Sequence, residues 1–157
     1  MPSVTDGVGS SFLQKQTKIL CDSYRHWTGL CLVDDLGDIS RTVKNLFEAP
    51  YAVASHDTQA DPIFNYANQQ AQQLFGMSWD EIIGLPSRYS AEPMNREERA
   101  LLLGRVSRHG YVDDYTGIRI AKDGRRFMIR NATVWNLLDV TGAYCGQAAL
   151  IRDWVAL

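Results

Sequence analysis

The sequence has no long apolar run and no excess of charge of one sign, and each absence excludes a class of partner. No stretch approaches the ~20 apolar residues that a membrane-spanning helix needs. The first residues, MPSVTDGVGSSF, lack the basic and then apolar pattern of a secretory signal. A net charge of −2 gives no general attraction to DNA or RNA. We therefore expect a cytoplasmic protein that engages neither a membrane nor a nucleic acid.

Motifs of metal binding and catalysis are also missing. The three cysteines show no CxxC spacing, which predicts reduced thiols, and the three histidines show no ligand spacing, which predicts no metal. There is no GxSxG elbow, P-loop or GxGxxG. The carboxylate pairs Asp34-Asp35 and Asp113-Asp114 are adjacent in sequence, and neighbours on a strand point to opposite faces. Neither pair is expected to form an acid/base dyad, and we expect no enzymatic activity.

What is present is the composition of one soluble globular domain. The chain has 157 residues, of which 45% are hydrophobic and 22% charged. We divide it into a disordered N-terminus over residues 1–10, an N-terminal helical extension over 11–48 and a folded domain over 49–157.

The helical extension carries one apolar stripe that ends at Gly29. Its members recur at helical spacing and are Leu13, Thr17, Leu20, Tyr24 and Trp27. Such a stripe either packs on its own domain or forms a dimer contact. The candidate dimer residues are Leu13, Leu20, Tyr24 and Trp27.

The stretch Pro62–Arg88 is unusual because its sequence predicts several very short secondary-structure elements in succession. A β-rich piece over 63–67 leads into a helix over Gln69–Phe75. Ser78 is suited to cap a second short helix, which Gly84 and the following proline end. Barrels and bundles use longer units, so this stretch favours a small α+β fold.

The last third predicts a long helix followed by β-structure. Asn95 begins the helix with a capping box; its buried face is Leu102, Leu103 and Val106, and its arginines, Arg96, Arg99, Arg105 and Arg108, form a solvated face. Three long strands follow, over Val112–Ala121, Arg125–Leu138 and Tyr144–Trp154. The expected fold is α+β, a five-stranded antiparallel sheet with helices on one face and the N-terminal helical extension.

Three long runs of the sequence are LPSRYSAEPMNREERALL, YVDDYTGIRIAKDGRRFMIRNATVWNL and YCGQAA. They resemble the MEKHLA family, a PAS-like group, and the resemblance covers roughly residues 40–154. The resemblance implies a PAS-like fold over 49–157 and a role in sensing a signal and regulating dimerisation. It implies no enzymatic activity.

The run Gly84 to Tyr89 also resembles the GxNCRF motif of flavin-binding light-oxygen-voltage domains, a PAS subgroup. Ser87 stands where those domains have the photoactive cysteine, which excludes adduct chemistry there. Their flavin-reading asparagines correspond to Arg119 and Ile129, and their glutamine to Ala148, with Gln147 within reach of a one-residue bulge. We therefore predict no flavin. We also predict no haem, because His109, the histidine of the long helix, lies in its final turn.

The alignment with light-oxygen-voltage domains also predicts a pocket between the sheet and the helices. The side chains that strand alternation places inward are Tyr115, Gly117, Arg119, Ile129, Asn131, Thr133 and Trp135. Our candidate ligand-binding residues are Arg88, Tyr115, Arg119, Asn131, Thr133, Trp135 and Gln147. The two arginines suggest an anionic ligand, because guanidinium groups bind carboxylates in a bidentate manner. The alternatives are a filled core with a satisfied polar pair, and ion pairs to Asp113, Asp114 or Glu92.

These observations support a sensory or regulatory module that binds a small ligand and signals through dimerisation to a separate protein partner. The alternative hypothesis is a ligand-free module for homodimerisation or protein interaction. A small enzyme that uses the same pocket is a third hypothesis.

Overall fold

The computed structural model describes residues 11–34, 37–91 and 96–157. The expected disordered N-terminus and the capping box at Asn95 lie outside the described residues. The helices are α1 (Ser11–Thr28), α2 (Ile39–Phe47), α3 (Gln69–Phe75), α4 (Trp79–Ile82) and α5 (Arg96–His109), with a 3-10 turn over Ser87–Ser90. The strands are β1 (Ala52–His56), β2 (Phe64–Ala67), β3 (Tyr111–Ile120), β4 (Arg126–Leu138), β5 (Tyr144–Ile151) and β6 (Asp153–Ala156).

The strands form one antiparallel sheet in the order β2-β1-β5-β4-β3, and β6 also pairs with β4. β5 and β6 keep the same register against β4, since Thr133 pairs with Leu150 and Arg130 with Asp153. The strand predicted over Tyr144–Trp154 therefore corresponds to β5 and the start of β6, which continue one another and are interrupted only at Arg152. The predicted α+β antiparallel fold is confirmed.

The central stretch forms as its sequence predicts. Asn68 caps α3 by accepting from the backbone N–H of Ala71, and Gly76 ends that helix with a φ of 66°. Ser78 and Glu81 form a capping box at α4. No helix among the described residues is long and apolar enough to cross a membrane.

Helices cover both faces of the sheet. α3 and α5 pack on the inner face, in a core that includes Phe127, Ile129 and Val134. α1 covers the outer face, where it meets Trp135 and Leu137. The prediction of helices on one face thus holds for the PAS-like part, while the N-terminal helices cover the other face.

The apolar stripe of α1 packs against its own sheet. Leu13, Leu20 and Tyr24 are at most 5% exposed, and the ring of Tyr24 meets Trp135 edge-on at 5.1 Å. Trp27 is half-buried and donates from Nε1 to the carbonyl of Asn136 at 2.9 Å. The stripe is therefore used within the chain, because the apolar outer face of β4 needs cover. The stripe was expected either to pack on its own domain or to form a dimer contact, and in the structure it packs on its own domain.

Two bulges change the alternation of β3 and β4. The β3–β4 register shifts on both sides of Tyr115, and each strand has two consecutive exposed residues there. On β3 these are Asp113 and Asp114, so the expectation that they point to opposite faces is wrong. On β4 they are Arg130 and Asn131, the latter with a left-handed φ of 51°. Beyond the bulge, the even-numbered residues of β4 face inward.

Candidate functional site

A cavity of about 70 Å³ lies between the inner face of the sheet and α5. Its apolar walls are Ala54, Phe64, Phe75, Leu102, Leu103, Ile129, Val134, Ala149 and Ile151. The polar residues that line it are Ser55, His56, Ser90, Arg99, Tyr115, Arg119 and Gln147. Since a water molecule takes about 30 Å³ of liquid volume, the cavity has room for a few non-hydrogen atoms.

Arg119 enters the cavity from β3 and is 8% exposed. Its guanidinium group lies 5.2 Å from the ring centre of Tyr115 and donates to the carbonyl of Ile118 at 3.3 Å. A Cβ at Gly117 would lie 2.2 Å from the Tyr115 hydroxyl, so glycine at that position makes room for the tyrosine. Burial lowers the pKa of Arg119, because the apolar surroundings disfavour its charge.

Arg99 reaches the same cavity from α5 and donates to the hydroxyl of Ser87. Burial, and then the charge of Arg119, lower the pKa of Arg99 to about 10. No salt bridge joins either arginine to a carboxylate within the described ranges 11–34, 37–91 and 96–157. The charges of Glu98 and Asp61 favour Arg119 and Arg99 respectively, but no described carboxylate forms a salt bridge with either arginine or lines the cavity.

His56 ends β1 and is 8% exposed. Its Nδ1 lies 2.8 Å from the carbonyl of Asp57, which can only accept, so Nδ1 donates. Its Nε2 is buried and has no hydrogen-bond partner among the described residues. Burial lowers the pKa of His56 and the charge of Arg99 lowers it further, while the bond to Asp57 acts in the opposite direction.

Gln147 ties the sheet to α5 beside the cavity. Its side-chain amide donates to Asn136 Oδ1 at 3.0 Å, and to the Leu103 carbonyl and the Ser107 hydroxyl at 3.2 Å. Asn136 in turn donates to the carbonyl of Val106 at 2.9 Å. Gln147 is 2% exposed, so its amide is buried, while the network reaches the surface at Ser107, which is exposed.

Three of the predicted pocket residues line the cavity, namely Tyr115, Arg119 and Gln147. Arg88 does not. It lies at the surface, where its Nε is 3.1 Å from Asp61 Oδ1 and its guanidinium group stacks on Tyr89 at 4.4 Å.

The predicted inward orientation is wrong for Asn131, Thr133 and Trp135. Asn131 is exposed at the bulge, Thr133 is half-buried outside the cavity lining, and Trp135 is fully buried on the opposite face against α1. The physical reason is the bulge at Asn131, which reverses the alternation on which the prediction depended.

The predicted ion pairs of Arg88 and Arg119 with Asp113 or Asp114 do not form. Asp114 instead faces Arg105, at 3.9 Å between Arg105 Nη2 and Asp114 Oδ1. Glu92, the third predicted partner, lies outside the described residues.

Two residues of the cavity were missed. Arg99 was assigned to a solvated face, yet it precedes Leu102, Leu103 and Val106 by three, four and seven positions, which places it on their face of the helix. His56 shares the inward face of β1 with Ala54, and alternation along that short strand is its signal.

The sheet, the short helices and the cavity beside α5 define a PAS-like domain. The PAS domain of a Colwellia psychrerythraea protein superposes with a TM-score of 0.62 at 21% identity, over 73% of this chain and 95% of that one. A light-oxygen-voltage domain with a flavin analogue gives 0.55 at 21% identity, over 74% and 84%. The light-state dimer of the fungal photoreceptor Vivid gives 0.55 at 19%, over 68% and 79%. At these identities the likeness concerns the fold.

The chain belongs to the MEKHLA domain family, whose model matches residues 14–156. The match begins within α1 and so extends further towards the N-terminus than the runs that suggested the family. No curated protein matches the chain.

The cavity does not fit the flavin that some relatives of this fold bind. Pockets for ligands of drug size hold about 300–1,000 Å³, whereas this cavity holds about 70 Å³. Ser87, at the position of the photoactive cysteine, is fully buried; its hydroxyl accepts from Arg99 and its carbonyl accepts from Ser90. Across the described ranges, no group of three or more His, Cys, Asp or Glu side chains is placed to hold a metal ion.

Proposed function

We propose that this PAS-like domain is a non-catalytic sensory or regulatory module that binds a small carboxylate in the cavity. The observation that carries the proposal is the pair Arg99 and Arg119, two largely buried cations without an ion pair in the described part of the chain. A buried charge without a partner is unfavourable. A carboxylate bound by the two guanidinium groups reduces this penalty, and guanidinium groups bind carboxylates in a bidentate manner.

The walls of the cavity favour a carboxylate with a short apolar tail over an inorganic oxyanion. Phe64, Phe75, Ile129 and Ile151 offer no hydrogen bonds, so an ion that is polar on all sides would lose hydration there. A monocarboxylate has one charged end for the arginines and one apolar end for these walls. The volume limits that tail to a few carbon atoms.

We infer that the bound carboxylate is not transformed and that no cofactor takes part. The cavity contains no side-chain carboxylate from the described residues, and the hydroxyl of Ser90 donates to the carbonyl of Ser87 at 2.8 Å. These groups bind and orient a ligand but do not form an activated nucleophile. Propionate recovered unchanged after long incubation with the protein is the expected result.

We further propose that occupancy is passed on through self-association, and from there to a protein partner. Support comes from the fold, since Vivid, which shares it, is described as a light-state dimer. The buried stripe of α1 is not the contact in this arrangement, so we assign the contact to the exposed apolar side chains Phe12, Leu30 and Ile39. Sedimentation of Phe12→Ser and Leu30→Ser should show a weaker dimer. A wild-type monomer throughout the micromolar range, with and without ligand, contradicts the proposal.

Thermal unfolding with propionate tests the binding function. At a concentration roughly 100 times its Kd, a ligand raises the free energy of unfolding by about 2.7 kcal/mol, which corresponds to about 5–11 °C in Tm for a chain of this size. Propionamide has nearly the same shape without the charge and should give no shift. Arg119→Met should abolish the propionate shift, while Arg88→Met, at an exposed arginine outside the cavity, should retain it. Equal shifts from propionate and propionamide, or none from either, refute carboxylate binding; a stable dimer without binding then supports the ligand-free module.

A further inference from the structure

We propose that His56 takes up a proton when a carboxylate occupies the cavity, so that anion and proton enter together. This inference rests on the proposed carboxylate binding and adds a titrating residue to the same site. It makes the affinity of the module for its ligand depend on pH.

The hydrogen bond at Nδ1 fixes the role of His56. Because Nδ1 donates to the carbonyl of Asp57 at 2.8 Å, the second ring nitrogen of the neutral imidazole carries a lone pair. That nitrogen, Nε2, is buried without a partner, and His56 lines the cavity. A lone pair and a carboxylate oxygen are both acceptors and repel one another. Protonation turns Nε2 into a donor, which a carboxylate can accept from.

The charges around His56 explain why the proton arrives with the anion. Arg99 faces the cavity from α5, and Arg119 and Tyr115 face it from β3. Asp57, the next residue along the chain, is the nearby acidic side chain among the groups that influence the histidine. Without ligand, burial and the charge of Arg99 keep the pKa of His56 below its usual 6.5. A carboxylate in the cavity offsets part of this positive charge and accepts from a protonated Nε2, and both effects raise that pKa.

The direction of the pH dependence follows from this shift. Between the pKa of His56 in the complex and its lower pKa in the free protein, binding takes up a proton. Affinity for the anion therefore rises as pH falls through that interval, by up to about tenfold per pH unit. Below the free-state pKa the histidine is already charged, and this contribution to the pH dependence ends.

Calorimetry with propionate tests the inference. Titrations between about pH 6 and pH 7, each in Bis-Tris and in MES, should give heats that differ between the two buffers, because the protons are drawn from the buffer. His56→Gln should still bind propionate but should show no buffer dependence and less variation of Kd with pH. His109→Gln, at the exposed histidine of α5, should behave as the wild type does.

The outcomes separate the two proposals. No binding of propionate to the wild type removes the proposed function itself. Binding without proton uptake, or uptake that survives in His56→Gln, leaves carboxylate binding in place and overturns the role of His56. If His56→Gln is poorly folded, NMR titration of the wild-type His56 ring with and without propionate decides the matter. An unchanged pKa contradicts the inference.

Discussion

Burial lowers the pKa of Arg99 on α5 and the charge of Arg119 on β3 lowers it further, so the two cations of this cavity destabilise each other. Both belong to the inner face of the domain, where the surrounding walls are apolar. Such an arrangement lowers the free energy of unfolding of the empty protein. A bound anion offsets this destabilisation, so the charges of the two arginines favour binding of an anion in the cavity.

Replacing Arg119 by methionine should therefore stabilise the empty protein while it abolishes carboxylate binding. Removing a buried charge that lacks a partner, at similar side-chain volume, raises the free energy of unfolding by about 1–3 kcal/mol. Urea denaturation without ligand measures this gain. Arg130→Met is the control, because Arg130 is an exposed residue of β4 in a surface pair with Asp153, worth at most ~1 kcal/mol. A large loss of stability in Arg119→Met would mean that the guanidinium group is already well paired.

Asn131 should matter for the shape of β4 and not for the ligand. Its φ of 51° is unfavourable for a side chain branched at Cβ, so Asn131→Val should lower the free energy of unfolding by about 1–2 kcal/mol. Asn131→Gly should be neutral or slightly stabilising at this position. Both variants should keep the full propionate-induced shift in Tm, because the side chain is exposed outside the cavity. Loss of that shift in the stable glycine variant contradicts the placement of Asn131.

The tight packing of Trp27 on Gly110 offers a prediction about how α1 is held. A Cβ at Gly110 would lie 2.4 Å from the indole ring, and Gly110 has a φ of +93°. Gly142 has a similar φ of +84° but open space around it, so alanine there should cost only about 1–2 kcal/mol. Gly110→Ala should cost clearly more in chemical denaturation. The double variant Gly110→Ala with Trp27→Ala should lose less than the sum of its parts; additive losses would show that the two residues are not in contact.

The pair between Glu81 of the α4 capping box and Lys122 should give a pH-dependent contribution to stability. Hydrogen bonds from Lys122 and then from the backbone and hydroxyl of Ser78 lower the pKa of Glu81 to about 2. A carboxylate with a lowered pKa stabilises the fold above its unfolded pKa of about 4.3 and loses that effect as pH falls towards 2. Glu81→Gln keeps the capping box and removes the charge. The stability difference between wild type and variant should therefore shrink between about pH 5 and pH 2; a constant difference refutes the pair.

Much of the fold was predictable because local signals and tertiary packing agree. The caps at Asn68 and Ser78, the glycine at Gly76 and the Asp-Gly turn of the β3–β4 hairpin all act within a few residues, and each lies where its local chemistry places it. The stripe of α1 was equally visible. What covers it was not, because its partner is the outer face of β4, more than a hundred residues away.

The site was only partly predictable, because a bulge has no reliable local signature. One extra residue at Asn131 exchanges the two faces of β4, so a prediction that was correct at Ile129 became wrong at Thr133 and Trp135. Arg99 was missed for a different reason. A charged residue on a helix is usually solvated, and only its spacing from the leucines that follow placed it inward.

The most direct test of the central claim is to locate the carboxylate by NMR in the protein with labelled methyl groups. Propionate is predicted to give intermolecular NOEs from its methyl group to Leu102 and Ile129, which line the cavity and are at most 4% exposed. These NOEs should disappear in Arg119→Met and persist in Arg88→Met. NOEs from bound propionate to exposed methyl groups such as those of Leu157, or none at saturating ligand, would contradict a carboxylate site between Arg99 and Arg119.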